Sequence, residues 1–202
     1  MDFRSGISGA ILAGGQSRRM GEEKALVKIG NTPLIERAVQ SLKSAIPKPM
    51  IITNNPEKLA YLNLPLHRDI LPNLGPLGGI YTALKYASEK RVLVLACDLP
   101  SVTLEIIRAL CTESIHQDVL ALDAGFGPEP LCAVYSKRCL PVIQAQIEQG
   151  NLKVTDFYPP MNKVGVLTLE AIGDSIPGGR FLNVNTPADK LLAEKIYGGE
   201  DQ

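Results

Sequence analysis

Between Leu12 and Lys24 the chain reads Leu-Ala-Gly-Gly-Gln-Ser-Arg-Arg-Met-Gly-Glu-Glu-Lys. Gly14 and Gly15 lack a Cβ, so the backbone there can turn sharply and bring its N–H groups close to a ligand. Successive N–H groups form an anion-binding nest. Arg18, Arg19 and Lys24 add three positive charges within seven residues, partly offset by Glu22 and Glu23. Polyphosphate is the natural guest of such a loop; a structural turn carrying solvated charges is the alternative. Two common phosphate motifs are absent. Walker A needs Gly before its Lys, and Glu23 stands there; the dinucleotide pattern GxGxxG is missing too.

A second candidate is Asp98, in Cys97-Asp98-Leu99-Pro100. A carboxylate at the end of a buried strand can hold Mg²⁺ against phosphate oxygens, because Mg²⁺ keeps a few hard oxygen ligands, water and substrate phosphate. It can equally start a turn or cap the next helix. The third is Gly75-Pro76-Leu77-Gly78-Gly79, whose glycines would let a helix N-terminus approach a base or ribose. A tight strand-to-helix loop is the alternative. Asn183 and Asn185 are two apart, on one face of an extended segment. They either reach a ligand or pin the loop before the final helix.

These residues need elements to position them. Ile7 to Leu12 reads as a strand feeding directly into the glycine loop, and Val92 to Ala96 as a strand covered on both faces that delivers Asp98. Met50 to Thr53, Leu64 to His67, Leu131 to Tyr135 and Val164 to Leu167 read as further strands. Helices are predicted over Pro33 to Ser44, Gly79 to Ser88, from Leu104 after Pro100, and over Leu140 to Gln149, which Gly150 stops. Thr186 suits an N-cap, with Pro187 in the first helical position and Asp189 in the first turn. This alternation predicts an α/β, three-layer Rossmann-like architecture with a mostly parallel central sheet, in which ligands bind at the carboxyl ends of the strands.

The 202 residues suit one domain. Lys plus Arg and Asp plus Glu each number 21, so the formal charge is zero. That argues against non-specific nucleic-acid binding, which draws on surplus cationic side chains. No apolar run approaches the ~20 residues of a membrane span, and no export signal is read at the N-terminus. Cys97, Cys111, Cys132 and Cys139 show no CxxC spacing and read as buried reduced thiols of a cytoplasmic protein. With two His in the chain, a zinc site is not expected, and His67 and His116 read as surface or structural.

Residues 12–26 match LAGGxSxRMGxxKAL in full, and on this segment the chain resembles the molybdopterin nucleotidyltransferase family, which includes the molybdenum cofactor guanylyltransferases. Residues 75–79 resemble its GPLAG motif with a glycine in place of the alanine, and 181–189 resemble its FxNxNTPxD end. The resemblance runs from residue 7 to about 190, is weakest over 125–180, and implies a nucleotide-binding half over about residues 1–110 and an acceptor-binding half over about 111–202. It implies that Leu12, Ala13, Gly14 and Gly15 wrap a triphosphate, that Arg19 and Lys24 contact it, and that Asp98 binds Mg²⁺. It further implies that Asn54, Asp69, Gly75 and Gly78 contact the nucleoside, and that Asn183, Asn185 and Lys153 serve the acceptor. Glu129 stands where many members carry His or Gln before Pro, so its role stays open.

The implied activity is transfer of GMP from GTP to the terminal phosphate of molybdopterin, releasing pyrophosphate, with transient contact to proteins that donate or receive the cofactor. The second glycine of the pair, Gly15, and residues 75–79 favour GTP over CTP. Rival readings are a cytidylyl or sugar-phosphate nucleotidyltransferase, and an inactive regulator that binds nucleotide or pterin.

Overall fold

The structure is a computed structural model that describes residues 6–14, 23–173, 176 and 180–199. In chain order it contains β1 (Ile7–Leu12), β2 (Lys28–Ile29), β3 (Thr32–Pro33), α1 (Leu34–Lys43), β4 (Met50–Ile52), α2 (Pro56–Leu59), β5 (Leu66–His67) and α3 (Gly75–Tyr86). There follow β6 (Arg91–Ala96), α4 (Leu104–Glu113), β7 (Val119–Asp123), β8 (Pro128–Ser136), α5 (Leu140–Glu148), β9 (Val164–Thr168), α6 (Leu169–Ile172) and α7 (Pro187–Tyr197).

Seven strands form one sheet in the order β5-β4-β1-β6-β8-β7-β9. Only β8 runs against the rest: its pairings with β6 and β7 are antiparallel, and all other pairings are parallel. The side-chain period of two sorts β1 and β6 between two layers. Ile7, Ile11, Leu93 and Leu95 pack with α1 and α4, whereas Ala10, Leu12, Val92 and Val94 pack with α3 and α5. Helices therefore cover both faces, which is why β6 is an unbroken apolar run.

A third cluster joins Val27, Ile29 and Leu34 to Leu182, Val184, Ala193 and Tyr197. It docks the β2–β3 hairpin on α7 and on the extended segment before it. That segment is stitched to the sheet edge: Leu182 N–H donates to Ser101 Oγ at 2.6 Å, and Val184 N–H to the Asp98 carbonyl at 2.9 Å.

Two expectations need correction. The helix expected from Gly79 begins at Gly75, so the glycine-rich motif lies inside its first turns and is not a loop ahead of it. Gly75 has φ +58°, a conformation glycine adopts at little cost. A Cβ added at Gly79 would lie 3.1 Å from a Leu12 methyl, so this glycine lets α3 start against the last residue of β1. The strand β7 was not anticipated. Its four buried residues, Val119 to Leu122, are too short a run to separate from the helical turn that precedes them. No helix among the described residues is long and apolar enough to cross a membrane.

Candidate active site

Register places the carboxyl ends of three strands side by side. Leu12 pairs with Ile52 on one flank and with Ala96 on the other. The chain beyond each strand therefore emerges at one edge, carrying Ala13 and Gly14, Thr53 and Asn54, and Cys97 and Asp98. The ladder continues for one more bond on each side: Ala13 N–H donates to the Ile52 carbonyl at 2.9 Å, and Cys97 N–H to the Leu12 carbonyl at 3.2 Å. Gly14 lies beside Asn54, whose Nδ2 would be 3.9 Å from a Cβ added there.

The centre of the site is a three-residue cluster from distant parts of the chain. Lys24 Nζ donates to Asp98 Oδ2 and to Asn185 Oδ1. Lys24 opens a single 3-10 turn, Lys24–Leu26, whose next residues Val27 and Ile29 are buried against α7. Asn185 ends the segment stitched to Asp98 and Ser101. One small apolar cluster thus delivers both the ammonium and the amide to the carboxylate. Asp98 is 8% exposed, and its second oxygen, Oδ1, is buried with no partner among the described residues. A buried carboxylate oxygen left unpaired is costly. A hard divalent cation is a guest that would satisfy it, so the donor set fits Mg²⁺.

Around this centre sit the expected nucleoside residues. Asn54 Nδ2 donates to Asp69 Oδ2 at 3.0 Å, and Arg68 reaches the Asn54 carbonyl. Burial pushes the Asp69 carboxyl above its ordinary value, and the Asn54 bond opposes this. Asp69 Oδ1 is buried and unpartnered among the described residues. The segment before α3 is held to that helix by Ile70 N–H donating to Thr82 Oγ1 at 3.0 Å.

The expected residues fall into three groups. Leu12, Ala13, Gly14, Lys24, Asn54, Asp69, Asp98 and Asn185 lie on the elements meeting at this edge, with Gly75 and Gly78 in the first turns of α3. Asn183 shares the exposed face of its segment with Asn185, while Leu182 and Val184 point inward. Gly15, Arg18 and Arg19 lie outside the described residues. Lys153 makes its ion pair elsewhere: its exposed ammonium lies 3.0 Å from Asp156, at the 3-10 turn that follows α5. The two histidines also stand apart: His67 stacks on Tyr86 at 3.9 Å between ring centroids, and His116 is exposed after α4.

Glu129 is the residue whose place becomes defined only in three dimensions. It lies at the start of β8, at the same sheet edge as Asp98 and on the far side from β1. Its Oε1 accepts the Leu131 N–H at 3.0 Å. Burial pushes its carboxyl up, that hydrogen bond opposes the shift, and the charge of Asp98 adds to it. Sequence offered only an acid before a proline as the signal.

Comparison with known proteins agrees with this geometry. Residues 9–160 match the model of the MobA-like NTP transferase domain. A protein of Carboxydothermus hydrogenoformans described as a probable molybdenum cofactor guanylyltransferase is 40% identical over 189 residues, 93% of this chain and 95% of that one. The molybdenum cofactor guanylyltransferase of Desulfosudis oleivorans is 33% identical over 195 residues, covering 93% and 94%. The solved structure of molybdopterin-guanine dinucleotide biosynthesis protein A from Archaeoglobus fulgidus superposes with a TM-score of 0.76 at 26% identity, covering 94% and 97%. With the family model spanning most of its length and the site formed where that fold binds ligands, the chain belongs to the MobA-like NTP transferase family.

Proposed function

We propose that the chain transfers GMP from GTP to the terminal phosphate of molybdopterin, forming the guanine dinucleotide cofactor and releasing pyrophosphate. The observation that carries the reading is the Lys24–Asp98–Asn185 cluster at the carboxyl edge of β1 and β6, in a chain that resembles molybdenum cofactor guanylyltransferases over nearly its whole length. An oxygen of the acceptor phosphate forms the new bond to the α-phosphorus of GTP. The bond from that phosphorus to the bridging oxygen breaks, and pyrophosphate leaves with the electron pair.

The attacking phosphate is anionic near neutral pH, so the site needs no strong general base. Positioning and charge neutralisation are the main requirements. Lys24 exchanges its carboxylate partner for phosphate oxygens and offsets the charge growing on the leaving pyrophosphate. Arg19 is assigned the same task. Gly14 and Gly15 offer backbone N–H groups. Asp98 would hold Mg²⁺, which would supply Lewis-acid neutralisation of phosphate charge. Asp69 Oδ1 and Asn54 are assigned to the nucleoside, the first as acceptor and the second as donor; the unpartnered Asp69 Oδ1 supports this. Asn183 and Asn185 face the acceptor, and Lys153 gives it weaker support. Molybdopterin passing to and from carrier proteins brings transient contact with them, in the cytoplasm.

The test is release of pyrophosphate by the purified chain with Mg²⁺, molybdopterin and each nucleoside triphosphate in turn. GTP-dependent release that requires molybdopterin is expected. Preference for CTP, or for a sugar phosphate as acceptor, overturns the assignment, and nucleotide binding without release identifies a regulator.

A further inference from the structure

Lys24 is held from both sides along the chain. After it, Val27 and Ile29 pack against α7. Just before it, the Glu23 carbonyl accepts the Leu26 N–H at 2.9 Å and so starts the 3-10 turn. The Glu23 side chain is only 11% exposed. Its Oε1 accepts a hydrogen bond from Asn55 Nδ2 at 3.1 Å, and its Oε2 lies 2.7 Å from Lys58 Nζ. A carboxylate adjacent to a lysine in sequence competes for its ammonium. Here both Glu23 oxygens are engaged by α2 and the turn that opens it, which leaves Lys24 to Asp98 and Asn185.

The support behind this contact is firm. Leu59 of α2 is fully buried in the core layer that also takes residues of α1 and α4. Asn55 N–H donates to Thr53 Oγ1 at 3.1 Å, and Thr53 N–H donates to the His67 carbonyl at 2.9 Å. Asn54 sits between Thr53 and Asn55 in the same turn, with its amide on Asp69. On the other flank of α2, Glu57 lies 3.2 Å from Arg68, which also reaches the Asn54 carbonyl. One short helix and its opening turn thus grip the residue before Lys24 and carry Asn54. Exposed ion pairs hold little. This one differs, because its carboxylate is largely withdrawn from water and an amide fixes its other oxygen. Removing Lys58 alone leaves that charge without its cation.

We propose that Glu23 and Lys58 are positioning residues: their ion pair, closed by Asn55, clips the Lys24 turn to α2 and sets the ammonium at a fixed distance from Asn54. The inference rests on the nucleotidyl-transfer reading of this edge and deepens it. Neither residue touches substrate; both act through Lys24. Phosphoryl chemistry depends on where that ammonium stands. The clip makes one rigid unit of the groups assigned to the two ends of the nucleotide, Lys24 for the triphosphate and Asn54 with Asp69 for the nucleoside.

The experiment is a set of double-mutant cycles on the full chain. It reads kcat/KM for GTP by pyrophosphate release, and GTP affinity in Mg²⁺ by calorimetry. Lys58→Met and Glu23→Ala should each lower kcat/KM about 10-fold, less than the ~100-fold that a 1 Å misplacement can cost. Lys58→Arg keeps the charge and should stay within about three-fold of the parent. In a Lys24→Met background both substitutions should change kcat/KM by no more than about two-fold, because the group they position is gone. Single variants that stay within about two-fold of the parent overturn the inference. So does a loss as large in the Lys24→Met background as in the parent, which marks a merely structural role. Lys58 is 53% exposed, so Lys58→Met decides even where Glu23→Ala fails to fold. A chain whose GTP affinity falls in Lys58→Met, with no further fall when Lys24→Met is added, but which releases no pyrophosphate, refutes the transfer reaction and leaves the clip standing.

Discussion

The two oxygens of Asp98 have different surroundings, and that difference predicts how substitutions behave. Oδ2 is engaged by Lys24 and Oδ1 is buried without a partner among the described residues. Asp98→Asn keeps the size and one acceptor but removes the charge that the lysine uses and that a bound cation would use. Turnover should fall at least ~100-fold, the scale of losing one electrostatic contact to a transition state. The check is pyrophosphate release at saturating Mg²⁺, and near-parental rates there would remove Asp98 from the chemistry. Lys24→Met should lower the rate by a similar factor and also weaken GTP binding. Unchanged nucleotide affinity and rate would reduce Lys24 to a structural partner of Asp98. The types and spacing of these two residues were legible in the sequence, because each follows a recognisable strand or loop. The contact of Lys24 with Asn185, 161 residues away, was not. No local pattern encodes a docking that depends on Val27, Val184 and Tyr197 packing together.

Among the elements, α7 has the most local definition. Thr186 Oγ1 accepts the Asp189 N–H at 3.2 Å, and Asp189 Oδ2 accepts the N–H groups of Thr186 and Asn185 at 2.8 and 3.0 Å. Burial raises the Asp189 carboxyl, but these hydrogen bonds outweigh it and hold the group below the usual carboxylate range. All of this happens within five residues, so the cap was readable without a structure. It also ties helix stability to the site, since the same carboxylate fixes the backbone of Asn185. Thr186→Ala should cost about 1 kcal/mol, a fall in Tm of roughly 2–4 °C at this chain length. It should also slow turnover with GTP affinity little changed, because Asn185 loosens on the acceptor side. A destabilised variant with full activity would separate the cap from the site. The start of α3 was harder to read. Glycines ordinarily weaken helices, and only the contact of Gly79 with Leu12 explains why one is placed inside this one.

At the scale of the whole molecule, both layers of the core bury groups that must stay neutral. The four cysteines are free and buried. Burial pushes the thiols of Cys111 and Cys139 up to about 12, and those of Cys97 and Cys132 further still. Burial likewise holds the Tyr135 hydroxyl well above its ordinary value, and the Tyr158 hydroxyl at about 12. Each folded-state value lies above that of the unfolded chain, so the native state keeps protons that the unfolded state releases. The stabilisation is complete below the ordinary thiol value near 9. It is lost as pH rises from there toward the folded values, by up to about 1.4 kcal/mol per pH unit for each group. Against a total stability of about 5–15 kcal/mol, several such groups titrating together are enough to unfold the chain. Urea midpoints should be level from pH 7 to 8 and fall steeply between pH 9 and 10.5. Cys111→Ala should flatten the slope. Rapid alkylation of the native thiols at pH 8, or a midpoint that holds through pH 10.5, would contradict the burial on which both layers of this core depend.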